Sequence, residues 1–471
     1  MDWNFSTFSN ETAIISRDSG KIKYSSLLSH IDSLAEKIPK RCLVFSFCGN
    51  NIGSLVGYIS FIKNRIVPFM LEEKKNQDHL SILLETYKPD YLWCPSHMAN
   101  RFTKSTEIYT VFGYSLLKTP YNNVYPLYKN LALLLTTSGS TGSPKLVRQS
   151  YENIRTNTES IVKCLNIGPT DRAITTLPMS YTYGLSIINT HLYAGASIIL
   201  TSNTLMQREF WEHFKEYNAT SFGGVPYTYE MLERLRFIKM ELPSLRTMTQ
   251  AGGKLPPAQH RKFAQYASDN HKNFVVMYGQ TEATARMSYL PAEKSSEKCG
   301  SIGIAIHGGH LSLIDINGKE INEPDTPGEL VYKGKNVSLG YAESGDDLSK
   351  DDENDGILFT GDIATEDTDG YYYIIGRKKR FLKIYGSRIN LDEIEIILKS
   401  KIPSLDCACC GRDDKMWIFI TERSKNETVK DLLVKEIGLQ PSAFEVEIIT
   451  KIPKNSSGKV IYRKLPIDLE A

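Results

Sequence analysis

Two hydrophobic periods alternate along the chain between about residues 130 and 279. Short apolar runs at 172–177, 197–201, 246–250 and 274–278 read as buried strands. Segments at 207–217, 226–237 and 256–267 carry helical spacing instead, and two of them start near Pro226 and Pro256-Pro257. Strand and helix in alternation predict a doubly wound α/β arrangement around a mostly parallel sheet. The first 125 residues repeat the texture more weakly and are expected to form a companion α/β lobe. After about Gly300 the pattern shortens. Runs at 311–315, 328–333 and 371–375, with an Asn317-Gly318 turn, predict a small β-rich subdomain. A charged joint, Gly376-Arg-Lys-Lys-Arg380, leads to helix, strand, helix and strand signals at 391–399, 416–421, 428–437 and 443–449. The expected division is therefore a large α/β domain over 1–376, built of two doubly wound lobes and the β-rich subdomain, and a smaller α+β domain over 377–471.

The run Leu131-Ala-Leu-Leu-Leu-Thr-Thr-Ser-Gly-Ser-Thr-Gly-Ser-Pro-Lys145 changes that picture from fold to chemistry. It begins as a buried strand and passes into small hydroxylated residues and glycines. Side chains this small let backbone N–H groups and hydroxyls close on a polyphosphate, and Lys145 adds a point charge. Alone, the segment reads equally well as a Ser/Gly-rich surface turn. The strand before it, and the helical face of Ile154, Thr158, Ile161 and Leu165 after it, favour a ligand loop. It is not a Walker A loop. The position where that motif needs its second glycine, counted from Gly139, is Pro144, and Leu146 follows Lys145.

Composition narrows the partners. A chain of 471 residues with 41% hydrophobic and 23% charged positions is an ordinary globular protein of two or more domains. A net charge of +2 gives no reason to expect nucleic acid or an anionic membrane. The first residues lack a basic stretch and an apolar run, and the apolar stretch 55–71 is broken by Lys63 and Arg65. No signal peptide or membrane insertion is expected, and the cytoplasm is the expected location. Of eight cysteines, Cys407, Cys409 and Cys410 cluster, but no histidine lies nearby. They read as structural thiols of a reduced protein.

Three further segments carry candidate chemistry. Tyr278-Gly-Gln-Thr-Glu-Ala-Thr284 follows a Val-rich strand, where open α/β sheets place ligands. There Tyr278 offers a face for a base, Thr281 a hydroxyl for phosphate and Glu282 a hard oxygen for Mg²⁺, although an ordinary polar loop would look the same. Asp362, in Thr-Gly-Asp, suits either a ribose diol or a turn. Lys459, in Ser-Ser-Gly-Lys, is by itself a solvated charge.

Taken together and in order, these segments resemble the adenylate-forming superfamily of acyl-CoA synthetases, peptide-synthetase adenylation domains and luciferase. The resemblance rests on the phosphate loop, Ala251-Gly-Gly253, Tyr-Gly-Gln-Thr-Glu, Thr-Gly-Asp, Gly-Arg-Lys-Lys with Lys383 to Glu395, and Ser-Ser-Gly-Lys, over about 130–465. It implies an AMP-forming acid–thiol ligase: a carboxylic acid attacks ATP to give acyl-AMP and pyrophosphate, and coenzyme A then takes the acyl group. By resemblance, Thr137, Ser138, Gly139, Ser140, Thr141 and Gly142 would cradle the β/γ-phosphates, with Lys145 as anchor. Thr281 would hold the α-phosphate, Glu282 the Mg²⁺, and Lys459 would bridge carboxylate and phosphate. Gly252 and Gly253 would meet the adenine beside Tyr278, Gly279 and Gln280, and Asp362 and Arg377 the ribose. The C-terminal domain would turn on a hinge at Lys379, and Gly386 would then face the pantetheine tunnel.

Departures bear on the substrate. In Ser180-Tyr-Thr-Tyr-Gly184, glycine stands where relatives that activate amino acids carry an Asp for the α-ammonium. This disfavours a free amino acid unless Gly184 is simply a packing glycine. Tyr181 replaces a histidine common in acyl-CoA synthetases. Val225, Tyr227, Met248, Thr249 and Met287 are candidates for the pocket wall or for core. No carrier-domain attachment site is read in these residues, so the acceptor is expected in trans, as coenzyme A or as phosphopantetheine on a separate acyl carrier protein. A kinase or ATPase, and a non-catalytic binder on the same scaffold, are the competing classes.

Overall fold

The computed structural model describes residues 3–17, 19–73, 77–136, 145–385, 387–435, 439–454 and 460–467. They pack as two compact units: residues up to 310 together with Tyr332–Leu358, and Leu311–Val331 together with residues from 359 on.

The first unit holds two sheets. One has eight strands, with Leu43–Cys48 at its centre, buried at every position and flanked in parallel by Val67–Glu72 and Tyr91–Pro95. A strand covered on both faces has to be apolar throughout, and Leu-Val-Phe-Ser-Phe-Cys is nearly so. In the other, nine-stranded sheet, Thr12–Ser16, Ser197–Leu200, Arg172–Ile174, Ser221–Gly224, Thr247–Gln250 and Asn273–Tyr278 run parallel. Helices Arg208–Glu216, Pro226–Arg234 and Pro257–Asp269 connect its strands, the last two with proline in their first turn.

Two α/β lobes are therefore present, but their borders differ from the sequence expectation. Leu131–Thr136 pairs in parallel with Val67–Glu72, so the strand leading to the phosphate loop belongs to the first lobe. Thr12–Ser16 and Gly20–Lys23, from the N-terminal region, complete the second sheet instead. Apolar runs specify burial, not which sheet they join. A second difference concerns the loop itself. The chain returns from it as a strand, Leu146–Ser150, antiparallel to Leu131–Thr136, and only then enters helix Tyr151–Leu165. Ser150 and Asn153 cap that helix reciprocally, at 3.0 and 2.7 Å. The helix expected after the segment is therefore present, one strand further on.

A five-stranded sheet, most of it in the second unit, runs in the order Glu320–Ile321, Gly309–Ile314, Gly328–Gly334, Ile357–Glu366, Tyr372–Arg377. A ribbon of Phe381–Ile384 and Ser387–Asn390 follows, then helix Leu391–Lys401 and a three-stranded sheet of Cys407–Arg412, Lys415–Ile420 and Phe444–Ile448. Arg380, from the charged joint, is buried in a network with Asp392 and Glu395, both at 2.7 Å, and stacks on Tyr462. Cys407, Cys409 and Cys410 are buried in the core, and burial pushes the Cys407 thiol up to about 12 and Cys410 to about 11. They are inert packing residues. Among the described residues, no helix is long and apolar enough to cross a membrane.

Candidate active site

Several of the expected ligand-facing turns lie at the carboxyl ends of Thr247–Gln250 and Asn273–Tyr278, neighbouring parallel strands of the first unit. After the first of these, Ala251 N donates to Gly224 O and Gln250 Nε2 to Gly253 O, at 3.1 and 2.9 Å. Gly252 has φ +84°, and a Cβ there would fall 2.6 Å from the Tyr181 hydroxyl. The position therefore needs glycine twice over, for its dihedral and for its space.

After Asn273–Tyr278 the chain makes a 3₁₀ turn, Thr281–Ala283, and returns antiparallel as Ser288–Tyr289. Reversal is that tight because Gly279 lies against the returning backbone: a Cβ would sit 1.8 Å from Ala285 O. The turn is pinned through its main chain. Gln149 Nε2 donates to Thr281 O at 3.0 Å, Ser338 N to Glu282 O at 2.8 Å, and Asn336 Nδ2 to Ala283 O at 2.8 Å. The Glu282 carboxylate is held separately. Tyr341 donates its hydroxyl to Oε1 at 2.8 Å, from a short strand paired antiparallel with Leu146–Ser150. Burial and the Glu282 carboxylate push the Tyr341 phenol well up, so it remains a donor. Lys145 Nζ lies 5.5 Å from the Tyr341 ring centroid and 2.7 Å from Glu343 Oε1. Lys145 and Glu282 thus both lie against Tyr341, and Thr281 precedes Glu282 in the same turn.

One hard carboxylate, oriented by a neutral donor, would suit Mg²⁺ as a ligand. Among the described residues no cluster of three or more His, Cys, Asp or Glu could hold a metal alone.

In the second unit Asp362 and Arg377 face each other in register on antiparallel strands, Arg377 Nε lying 3.3 Å from Asp362 Oδ1. Asp362 is buried and Arg377 largely exposed. Asp362 N donates to Thr360 Oγ1, whose hydroxyl donates to Leu330 O, and Gly361 between them has φ +70°. Thr137, Ser138, Gly139, Ser140, Thr141, Gly142, Gly386, Lys459 and the Lys379 side chain lie outside the described residues.

A small cavity of about 20 Å³ lies inside the first unit, lined among others by Ile187, His191, Gly223, Thr249, Asp171 and Arg286. Of the five candidate wall residues only Thr249 lines it. Met248 and Met287 are core, Val225 packs beside Gly252, and Tyr227 is half exposed. Gly184 is a packing glycine, since a Cβ there would lie 2.4 Å from Pro178 O and 3.0 Å from Leu177 O.

The sequence profile of the AMP-binding enzyme family matches residues 71–342, more than half of the chain. The chain belongs to that family. Among similar proteins, the oxalate–CoA ligase of Arabidopsis thaliana is 28% identical over 350 residues, covering 70% of this chain and 66% of that protein. The sulfoacetate–CoA ligase of Cupriavidus necator is 29% identical over 346 residues, covering 71% and 66%. Those two alignments therefore span a little under two thirds of each relative. O-succinylbenzoate coenzyme A synthetase from Bacillus subtilis, solved with AMP, has the same fold, with a TM-score of 0.79, 20% identity and coverage of 99% and 98%.

For this AMP-binding enzyme, sequence reasoning passed over Tyr341, Ser338, Gln149 and Arg286. The first three lie far along the chain from the turn they support. Arg286 carried one signal, a lone charge between Ala285 and Met287 just after the Tyr-Gly-Gln-Thr-Glu segment.

Proposed function

We propose that the protein is an AMP-forming acid–thiol ligase that activates a small carboxylic acid and transfers it to coenzyme A. The observation that carries this reading is the Glu282 carboxylate, fixed by Tyr341 beside Lys145 at the carboxyl end of a parallel strand in an AMP-binding enzyme. In the first step a carboxylate oxygen attacks the α-phosphorus of ATP, the bond to the β-phosphate breaks, and pyrophosphate leaves. Two anions meet, so cations and donors have to offset their repulsion.

Lys459 is assigned the bridge between carboxylate and phosphate, Thr281 the α-phosphate, and residues 137–142 with Lys145 the leaving pyrophosphate. Glu282 would hold Mg²⁺, which when bound would supply electrostatic stabilisation of the phosphate charge. Gly252 and Gly253 admit the adenine beside Tyr278, Gly279 and Gln280, and Asp362 with Arg377 takes the ribose. In the second step the thiol sulfur attacks the acyl carbon, the bond to AMP breaks, and the thiol proton passes to solvent. For that step residues 377–471 turn about Lys379, and Gly386 leaves room for the pantetheine arm. Gly184, packed on the carbonyls of Leu177 and Pro178, leaves no place for an acidic partner to an α-ammonium, which supports an acid without one. Eight cysteines without a disulfide suit the reducing cytoplasm.

The test is a pyrophosphate-release screen over small, branched, aromatic and fatty acids and amino acids, with AMP and ADP quantified. AMP with pyrophosphate supports the reading, and ADP removes it. Thioester yield with coenzyme A against a phosphopantetheinylated carrier protein then decides the acceptor.

A further inference from the structure

We propose that Arg286 determines acid specificity: it receives a second anionic group, carboxylate or sulfonate, at the end of the substrate remote from the reacting carboxylate. This deepens the ligase reading and rests on it.

The guanidinium is buried, 2% exposed, and its Nε and Nη1 have no hydrogen-bond partner within the protein. Arginine cannot shed its proton to escape burial, so this is a permanent cation that wants an acceptor. Among the described residues it forms no ion pair, and its guanidinium lies 4.9 Å from the centroid of the Tyr183 ring. The other charges at the cavity are accounted for. Asp171 is engaged by Arg246 at 3.2 Å, by Thr220 Oγ1 and by the Gly168 N–H. His191 places Nδ1 2.9 Å from Ile187 O and Nε2 3.2 Å from Ser221 Oγ, and burial holds it neutral. The Tyr183 hydroxyl is shared with Thr249 Oγ1 at 2.7 Å.

Position supports the assignment as much as charge does. Tyr181 touches Gly252, the turn given to the nucleotide, and packs edge-on to Tyr183 at 6.3 Å, while Tyr183 in turn faces Arg286. Arg286 is therefore separated from the Gly252 turn by two aromatic rings. A planar guanidinium with N–H groups to spare, lining a small cavity, matches the geometry of a carboxylate or sulfonate.

The experiment compares acids matched in length on the full chain, by pyrophosphate release with ATP and Mg²⁺. Malonate to adipate, phthalate and 3-sulfopropanoate are set against propanoate to hexanoate and benzoate. At the best length the wild type should favour the doubly charged acid, and Arg286→Met should lower the ratio of kcat/KM values, doubly to singly charged, about 100-fold. Arg286→Lys keeps the cation and should retain part of the ratio, which also covers the case in which Arg286→Met does not fold. The proposal is overturned if the wild type prefers singly charged acids, or if either folded variant leaves the ratio unchanged while lowering all acids equally. In those cases Arg286 is a structural residue held by Tyr183, and the ligase reading stands. No pyrophosphate from any acid removes the ligase reading, and the proposal with it.

Discussion

Replacing Tyr341 by phenylalanine deletes one oxygen and leaves the ring beneath Lys145. What is lost is the 2.8 Å hydrogen bond to Glu282 Oε1. A hydrogen bond to a charged group contributes about 1.5–3 kcal/mol. Tyr341 is 38% exposed and Glu282 is also partly open to solvent. Screening therefore reduces the term to about 1 kcal/mol. At about 1.4 kcal/mol per factor of ten, kcat/KM for Mg·ATP should fall roughly fivefold. The assay is pyrophosphate release at saturating acid, with the melting temperature as a check that the fold is intact. Because Tyr341 acts through Glu282, its loss should be absorbed in a Glu282→Gln background, where Tyr341→Phe adds less than about twofold. A full fivefold loss in that background, or no loss in the wild type, refutes the reasoning.

Other outcomes follow from the same geometry. Lys459→Ala should abolish pyrophosphate release while ATP binding, read by titration calorimetry, largely survives, because the proposed bridge acts in the transition state. Equal loss of both would contradict the role. Gly279→Ala places a methyl 1.8 Å from Ala285 O. It should cost at least about 2 kcal/mol in chemical unfolding, whereas Gly168→Ala, with nothing within 4 Å, should be near neutral. His191 has its pKa lowered from 6.5 to about 4 by burial. The unfolded chain takes the proton first, so stability present above pH 6.5 is lost as pH falls, by about 3 kcal/mol at pH 4. Urea unfolding at pH 7, 5.5 and 4.5 should show this slope reduced in His191→Gln, and parallel slopes would disprove it.

Much of the second sheet could be read from sequence because its signals are local. The run at 274–278 and the helix at 256–267 appear as Asn273–Tyr278 and Pro257–Asp269. Gly252 and Gly279 were legible for a related reason: a turn dictates its glycine within a few residues. The strand Leu146–Ser150 was not. Its Arg148, Gln149 and Ser150 look like loop residues, yet all are buried. Their partners are distant in sequence: Glu353 and the carbonyls of Leu339 and Lys350 for Arg148, Thr281 O for Gln149. Tyr341 escaped notice in the same way, since it meets Glu282 only through a strand pairing to Val147 that no local pattern announces. The lobe borders were misread because an apolar strand such as Leu131–Thr136 satisfies either sheet equally.

The strand Leu146–Ser150 serves two clients from opposite sides. Gln149 reaches the turn that carries Glu282, while Arg148 reaches the carbonyls around Tyr341. Inserting or deleting a single residue there would exchange the two sides and unmoor both clients at once. The chain can change length at an exposed tip such as Ile316, but this strand has to be copied residue for residue.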